Sequence, residues 1–508
     1  IIEIIKENKL NRVVVSSCTP RTHEPLFQNT IREAGLNPYL FEMANIRDQC
    51  SWIHMHEPKE ATEKAKDLVR MAVAKSRLLE PLEKLTISVN PAALVLGGGV
   101  AGMTAALEMA KQGFQVHLVE KENSLGGNLK KIHFMAEEGT DPQEMLKKLV
   151  SDVESNKNIK VYKGTTVMSI EGYVGNFKTK LVGGEEIEHG IVIVATGADE
   201  LKPNEYLYGH DKKVKTLLEF EETLSKGKIK GDNFVFIQCV GSREGDNPNC
   251  SRVCCTSTMT NAIKIKEQNP NANVVVLYRD IRTYSFREMW YKKAADKGVL
   301  FIRFDDEEKP KVEHANGKVV IHVKEGETGE SFTFHPDHLI LAAGTHANPD
   351  NESIAPMLKV PLIAEGFYLE AHMKLRPVDF ATEGVFLAGA AHSPKFIDES
   401  ISQALGAAAR AITIISKETL EAEGIVVEVD EDLCDGCGIC QPICEYNAIE
   451  IVPHPKDKEK KFAEINIGLC KGCGGCVSAC PSGALIQKGF TDEQMVAMID
   501  AALEEEVK

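Results

Sequence analysis

Apolar and polar positions fall into blocks along this chain, and the period of the blocks changes from one stretch to the next. "NRVVVSSC" is a short apolar run closed by polar residues, which predicts a buried strand ending at Cys18, and "TPRTHEPLFQNTIREAG" after it reads as a turn followed by a helix. "EPKEATEKAKDLVRMAVAKSRLLEP" carries apolar residues at helical spacing between Pro58 and Pro81, which predicts one long helix acting as a linker within residues 57–91. Residues 92–135 read as strand, glycine loop, helix and strand, and residues 158–197 as short strands broken at glycines. Residues 233–345 repeat the strand–helix–strand theme, and 384–415 give a strand, a loop and a helix of small residues. "TDEQMVAMIDAALEEE" closes the chain as an amphipathic helix, with Thr491 and Gln494 spaced for reciprocal capping. The expected divisions are an N-terminal α/β piece (1–56), the linker helix (57–91), a first nucleotide-type domain in two parts (92–204 and 346–423) and a second between them (205–345). A cysteine-rich domain (424–490) and a terminal helix (491–508) follow.

Composition narrows the function. The chain has 508 residues, 43% apolar and 26% charged, as in globular protein. Its formal charge of −16 argues against nucleic acid as a partner, since phosphates repel an acidic surface. No apolar run is long enough to span a bilayer. "IIEIIKENKL" mixes Lys and Glu into its apolar pattern, unlike a signal peptide, and starts without Met, so the chain is expected to be truncated at its N-terminus. Without a secretory signal the expected compartment is the cytoplasm. Disulfides are rare there, so fourteen cysteines point to metal or redox use.

Eight of the cysteines carry the strongest signal. "CDGCGICQPIC" and "CKGCGGCVSACP" both read C-x2-C-x2-C-x3-C, and every ligand position recurs after 36 residues. This is the spacing of bacterial two-cluster ferredoxins, in which the fourth cysteine of each run reaches the other cluster. Cys434, Cys437 and Cys440 are therefore expected to pair with Cys480, and Cys470, Cys473 and Cys476 with Cys444. Pro481 follows the last cysteine as usual, whereas Glu445 stands where proline is common. The charged insert "HPKDKEKK" (454–461) reads as a solvated hairpin.

"ALVLGGGVAGMTAALEMAKQGFQVHLVEK" places Gly97, Gly99 and Gly102 in the GxGxxG pattern between a strand and a helix. The glycines let backbone N–H groups approach a pyrophosphate, and the helix N-terminus favours its charge. Glu120, with Lys121 beside it, closes the next strand and is placed to accept ribose hydroxyls. Alone this pattern also fits a glycine-rich turn. Three further pieces accompany it: "SLGGNL" with Gly127 and Asn128, "VIVATG" with Thr196 and Gly197, and "GVFLAGAA" with Gly389 and Ala390. The last leads into a helix starting near Ile397, whose N-terminus can face the N1–C2 edge of a flavin. Together they resemble the FAD domain of the thioredoxin-reductase-like two-dinucleotide flavoproteins. That family usually has Asp where this chain has Ala390, so the ribityl chain must be held differently.

A second glycine loop is expected after "NFVFIQ". The sequence there is "CVGSREGDNPNCSRVCC", with Gly241 alone and Cys239, Cys250, Cys254 and Cys255 in place of glycines. A bond between the adjacent Cys254 and Cys255 would be strained, because neighbouring Cα atoms are about 3.8 Å apart and relaxed disulfides want roughly 4.4–6.8 Å. On a helix Cys250 and Cys254 would share a face. The spacing matches no zinc motif, and no CxxC pair for dithiol exchange lies here. The favoured reading is a [4Fe–4S] cluster beside the flavin, with zinc or free thiols as alternatives. Cys18 and Cys50 remain, either as two buried thiols or as half of a further cluster site.

In this order, "CTPRTHEPLF", "NPYLFEMANIRDQCSW", the FAD motifs, "CVGSR" with "CSRVCC", "AHSPK" and the ferredoxin runs resemble the HdrA family, the A subunits of heterodisulfide reductases, in a form without the ferredoxin that some members insert in the flavin domain. The resemblance implies an α/β, thioredoxin-reductase-like two-dinucleotide-binding flavoprotein fold with a Rossmann-like FAD domain. To it are added a C-terminal α+β bacterial-type ferredoxin domain and a small N-terminal α/β domain. It implies FAD, three [4Fe–4S] clusters and a further one at Cys18 and Cys50 completed by residues outside this chain. It also implies flavin-based electron bifurcation. An electron pair from a hydrogenase or formate dehydrogenase module would be split between ferredoxin and the B and C subunits, which in methanogens reduce the CoM–CoB heterodisulfide, with two copies of this chain paired in the complex as a dimer. Two other functions fit the residues: an NAD(P)H-dependent flavin and iron–sulfur oxidoreductase of the glutamate-synthase small-subunit type, and a non-bifurcating electron conduit.

Overall fold

Short strands of consecutive Val, Ile, Leu and Ala are buried on both faces, which is the signature of parallel sheets covered by helices. The computed structural model describes residues 1–503 except 84, 137, 138, 228, 246, 316, 423, 455 and 458. The chain divides into two units, one of residues 88–418 and one formed by 1–87 together with 419–508.

The unit 88–418 holds two five-stranded sheets. The first runs, in spatial order, Val385–Leu387, Ile191–Val194, Ala93–Leu96, Val116–Glu120 and Ile159–Lys163, all parallel. Ala93 to Val95 and Ile191 to Val194 are fully buried, and the helices Val100–Lys111 and Ile397–Ile415 pack their alanines against them. Small side chains let these helices approach each other and the sheet closely, so the glycine turn between Leu96 and Val100 sits at the carboxyl edge of the strands, where doubly wound folds place their ligands.

The second sheet runs Val214–Thr216, His338–Ala343, Asn233–Val240, Asn273–Tyr278 and Leu300–Arg303, again parallel. The helix Cys254–Gln268 covers it with Met259, Ala262 and Ile263. The two nucleotide-type domains are joined by two chain crossings that pair antiparallel, Ala198–Glu200 with Thr345–Ala347. Antiparallel three-stranded sheets (167–189 and 311–334) complete each domain.

In the other unit, the parallel strands Val13–Ser17 and Phe41–Asn45 pack with the helices Pro20–Glu33 and Pro58–Arg77. Two antiparallel pairs, 427–429 with 485–487 and 449–453 with 461–465, frame the cysteine-rich domain. Residues 455 and 458 of the charged insert lie outside the described residues. Thr491 N–H donates to Gln494 Oε1 at 3.2 Å and Gln494 N–H to Thr491 Oγ1 at 3.4 Å, so the terminal helix Asp492–Leu503 begins with the reciprocal cap its sequence predicts. The helix assigned to a linker is packed rather than free: it lies against Asp492–Leu503 and against the strand Phe41–Asn45. Among the described residues no helix is long and apolar enough to cross a membrane.

Candidate functional site

The glycine turn is closed to side chains by its own backbone. Gly97 has φ +107°, and a Cβ there would lie 2.3 Å from Ala195 O; one on Gly102 would lie 1.8 Å from Gly97 O. Only glycine allows that approach, and it brings the turn's backbone close enough for an anion to sit at the start of the helix Val100–Lys111. The turn opens into a cavity of about 270 Å³. Gly97, Gly99, Gly127, Asn128, Thr196 and Gly197 line it on the first-sheet side, with Glu120 and Lys121 at the next strand. Ala390 and Ile397 line it at the small-residue helix. Gly102 and Gly389 stand behind the wall, Gly102 against Gly97 and Gly389 against Ala101.

Glu120 is buried, and its two oxygens accept from Gly98 N–H at 2.7 Å and Glu122 N–H at 2.8 Å. The carboxylate is thus oriented by the backbone and keeps lone pairs for hydroxyl donors. Lys121 reaches Asp350 at 3.0 Å, Asn128 donates to Ala198 O at 2.7 Å, and Thr196 donates to Asn351 Oδ1 at 2.9 Å. The cavity, the glycine cradle and this carboxylate fit a dinucleotide.

The second domain brings one of its cysteines, Cys254, to the same cavity. The strand Asn233–Val240 shifts register between Ile237 and Val240, and Cys239 at this bulge has φ +61°. A bulge re-aims a side chain that regular pleating would send elsewhere. Arg243 and Arg252 also have left-handed φ, +64° and +59°. Three such non-glycine residues from the strand end into the loop mark a segment held against local preference. Cys250 lies in this loop and not on a helix, which corrects the shared-face expectation: the left-handed Arg252 cannot continue a helix, so the helix starts at Cys254. Cys254 and Cys255 occupy its first turn, and Cys254 lines the cavity with Val253, Ser257 and Thr260.

Cys239, Cys254 and Cys255 are all harder to ionise than an ordinary thiol. Burial pushes the Cys254 thiol well up, and Cys255, Cys239 and Cys250 add to it. Cys255 is pushed up to about 12 by burial, partly opposed by the Arg282 backbone. Cys239 is raised by burial against the pull of Arg243 and Arg279. Thiols in such a place ionise readily only with a cationic centre beside them. Among the described residues no three Cys, His, Asp or Glu side chains converge closely enough for a single metal ion. Four cysteine thiols are a donor set that zinc or an iron–sulfur core could take.

In the ferredoxin-like domain Cys434, Cys437, Cys440 and Cys480 surround one small cavity, and Cys444, Cys470, Cys473 and Cys476 another. Cys437 and Cys473 are exposed. Cys18 follows the strand Val13–Ser17, half-buried, and accepts from Arg47 Nη1 at 3.3 Å; Cys50 is buried in the short helix Arg47–Trp52. Neither joins a third ligand among the described residues.

Sequence reasoning passed over the titratable groups in the flavin cavity. Lys395 lines it, and burial with the nearby Arg252 pulls its ammonium down to about 8, against Glu399 and Glu370. Glu200 and Glu221 also line it, and burial raises both carboxyls against their hydrogen bonds. Glu221 accepts from His133 N–H, Phe134 N–H and Asn261 Nδ2. "AHSPK" contained the lysine and two of its partners, Ser393 Oγ at 2.7 Å and His392 Nδ1 at 3.1 Å, but the burial and the Arg252 charge that lower it come from the fold.

Residues 91–237 match the pyridine nucleotide-disulphide oxidoreductase family and 433–484 the 4Fe-4S dicluster domain. The A subunit of the H2:CoB-CoM heterodisulfide,ferredoxin reductase of Methanothermobacter thermautotrophicus is 38% identical over an alignment that covers 99% of this chain and 90% of that protein. The second of the iron-sulfur A subunits of CoB–CoM heterodisulfide reductase in Methanopyrus kandleri is 37% identical, with 88% of this chain and 83% of that protein covered. The chain belongs to the HdrA family of heterodisulfide reductases. It is an oxidoreductase subunit with an FAD-binding domain and a 4Fe-4S dicluster domain. The alignment with the Methanothermobacter protein runs over 605 positions, more than the 508 residues here, so that family member holds segments this one lacks. A thioredoxin reductase of Lactococcus lactis has a similar arrangement over 64% of this chain and 98% of its own, at 18% identity and a TM-score of 0.47.

Proposed function

We propose that this chain is the electron-bifurcating subunit of a heterodisulfide reductase complex. Electron pairs from a hydrogenase or formate dehydrogenase module are divided between ferredoxin and a disulfide reduced on B and C subunits, the CoM–CoB heterodisulfide in methanogens. The name of the Methanothermobacter relative, which joins H2, the CoB–CoM heterodisulfide and ferredoxin, supports this reading. The observation that carries it is Cys254 in the wall of the flavin cavity, where a nucleotide-binding loop would otherwise stand.

FAD, when bound, supplies a centre that takes electrons in pairs and releases them singly. The chain's own residues do the rest. The Gly97–Gly102 turn and the helix behind it hold the pyrophosphate, and Glu120 accepts from the ribose. Lys395 brings a cation to the cavity whose charge is near balance at neutral to mildly alkaline pH. Burial raises the Glu200 and Glu221 carboxyls in the same wall against their hydrogen bonds. Cys239, Cys250, Cys254 and Cys255 hold the cluster next to the flavin. The C-terminal eight hold two more, with Cys437 and Cys473 at the surface suited to passing electrons to a partner.

Iron, sulfide and flavin content of the anaerobically purified chain tests this. Three cubane clusters give about 12 Fe per FAD, falling to about 8 in Cys254→Ser/Cys255→Ser with FAD retained. About 8 Fe in both proteins would remove the cluster from the cavity, and the reading with it. NADH alone should leave the flavin oxidised; rapid bleaching would turn the assignment to a pyridine-nucleotide enzyme.

A further inference from the structure

The two nucleotide-type domains are linked covalently by only two chain crossings, the antiparallel pair Ala198–Glu200 and Thr345–Ala347. Two adjacent strands are a hinge unless something else ties the domains together. The flavin cavity is lined from both domains, by Gly97 and Ala390 on one and Cys254 on the other. Any rotation about the crossings would change the spacing between the flavin and the cysteine quartet.

Besides the bonds from His133 and Phe134 N–H to Glu221 across the domains, a further connection lies at the first turn of the Ile397–Ile415 helix. Arg252, between Cys250 and Cys254, donates to Pro394 O at 3.0 Å, to Glu399 Oε1 at 2.9 Å and to the Tyr284 hydroxyl at 2.7 Å. Tyr284 OH in turn donates to Glu399 Oε1 at 3.2 Å. Arg287 reaches both oxygens of Asp398 at 2.8 Å, and its guanidinium lies 3.8 Å from the centre of the Phe396 ring. These are charge-assisted contacts on planar guanidinium groups, the kind that fix geometry as well as attract. Arg252 and Arg287 belong to the cysteine-bearing domain; Pro394, Phe396, Asp398 and Glu399 belong to the FAD domain.

The electrostatics have the same sense. A helix N-terminus beside a flavin favours negative charge on the ring, but Asp398 and Glu399 in that first turn oppose it. The two arginines neutralise both carboxylates, so the turn keeps its positive end toward the cavity.

We propose that Arg252, Tyr284 and Arg287 form a latch that locks the cysteine-bearing domain to the first turn of the Ile397–Ile415 helix and so fixes the flavin-to-cluster spacing. They are positioning residues, and the latch rests on the reading of the quartet as a cluster site. One-electron transfer depends steeply on spacing, and a protein that must send two electrons different ways needs that spacing constant.

The test uses the full chain loaded with FAD and iron–sulfur. Arg287→Asp places like charges at Asp398; Arg287→Asp with Asp398→Arg restores the pair in reverse. Hydrogen exchange of segments 284–288 and 396–401 reports the latch without needing a cluster. Stopped-flow absorbance reports electron transfer from reduced flavin to the cluster. The single variant should lose protection in both segments together and slow the transfer by about tenfold or more, with FAD and iron content unchanged, and the reversed pair should recover both. A single variant that changes neither exchange nor transfer, or a reversed pair that recovers neither, overturns the latch. A wild-type chain with about 8 Fe per FAD overturns the cluster reading instead, and the exchange readout still decides whether the domains are latched.

Discussion

At the scale of single residues, Lys395 shows how a side chain acquires a property its sequence position does not carry. Burial removes water from the ammonium, and Arg252 adds repulsion, so the pKa falls from the ordinary lysine range to about 8. The proton is therefore present below about pH 8 and lost above it. A cation beside a flavin stabilises the reduced, negatively charged ring, so losing it lowers the flavin potential. Between pH 7 and 9 the flavin midpoint of the wild type is expected to fall more than that of Lys395→Met, which has no charge to lose. At pH 7 the variant should already lie below the wild type. Spectroelectrochemical titration at the two pH values checks both; parallel slopes would place Lys395's charge elsewhere.

At the scale of elements, what could be read from sequence was what is set locally. The ferredoxin loops are legible because a cube fixes the spacing of the thiolates it binds, so C-x2-C-x2-C-x3-C reports the geometry directly, down to the crossing of Cys480 and Cys444. The glycine turn is legible for a similar reason. A Cβ on Gly102 would meet Gly97 O at 1.8 Å, so Gly102→Ala must push the helix Val100–Lys111 away from the turn. FAD occupancy should fall at least tenfold, while iron bound by the C-terminal eight cysteines is kept; the flavin-to-iron ratio measures this. The CSRVCC loop was only half legible. Its cysteines could be counted, but the left-handed φ of Arg252 could not, and that angle decides that Cys250 stays in a loop while Cys254 opens a helix. Arg252 was invisible as a functional residue because its partners Pro394 and Glu399 lie more than 140 positions away.

At the scale of the whole molecule, the helix between Pro58 and Pro81 was read as a linker because prolines bound it. One of its faces is committed. Lys75 is 4% exposed, pairs with Glu42 at 2.8 Å, and its ammonium lies 3.7 Å from the ring centre of Phe490 at the far end of the chain. Gln494 Nε2 donates to Leu78 O at 3.0 Å, and Gly424 N–H donates to the Tyr39 hydroxyl at 2.6 Å. Residues 1–87 and 419–508 thus share one unit, although more than 300 residues separate them in sequence. A buried ammonium gains little by being paired but loses much by being left alone. Glu42→Gln should therefore destabilise this unit by about 3 kcal/mol, whereas Lys75→Met should be close to neutral, and the double variant should resemble Lys75→Met rather than the sum. In the Cys254→Ser/Cys255→Ser background, where iron–sulfur absorbance belongs to the C-terminal clusters, its thermal loss reads this unit and flavin release reads the other, so the Glu42→Gln shift is expected in the first signal alone. A shift of equal size in Lys75→Met would mean that the ion pair itself, rather than the avoidance of an unpaired charge, holds the two ends of the chain together.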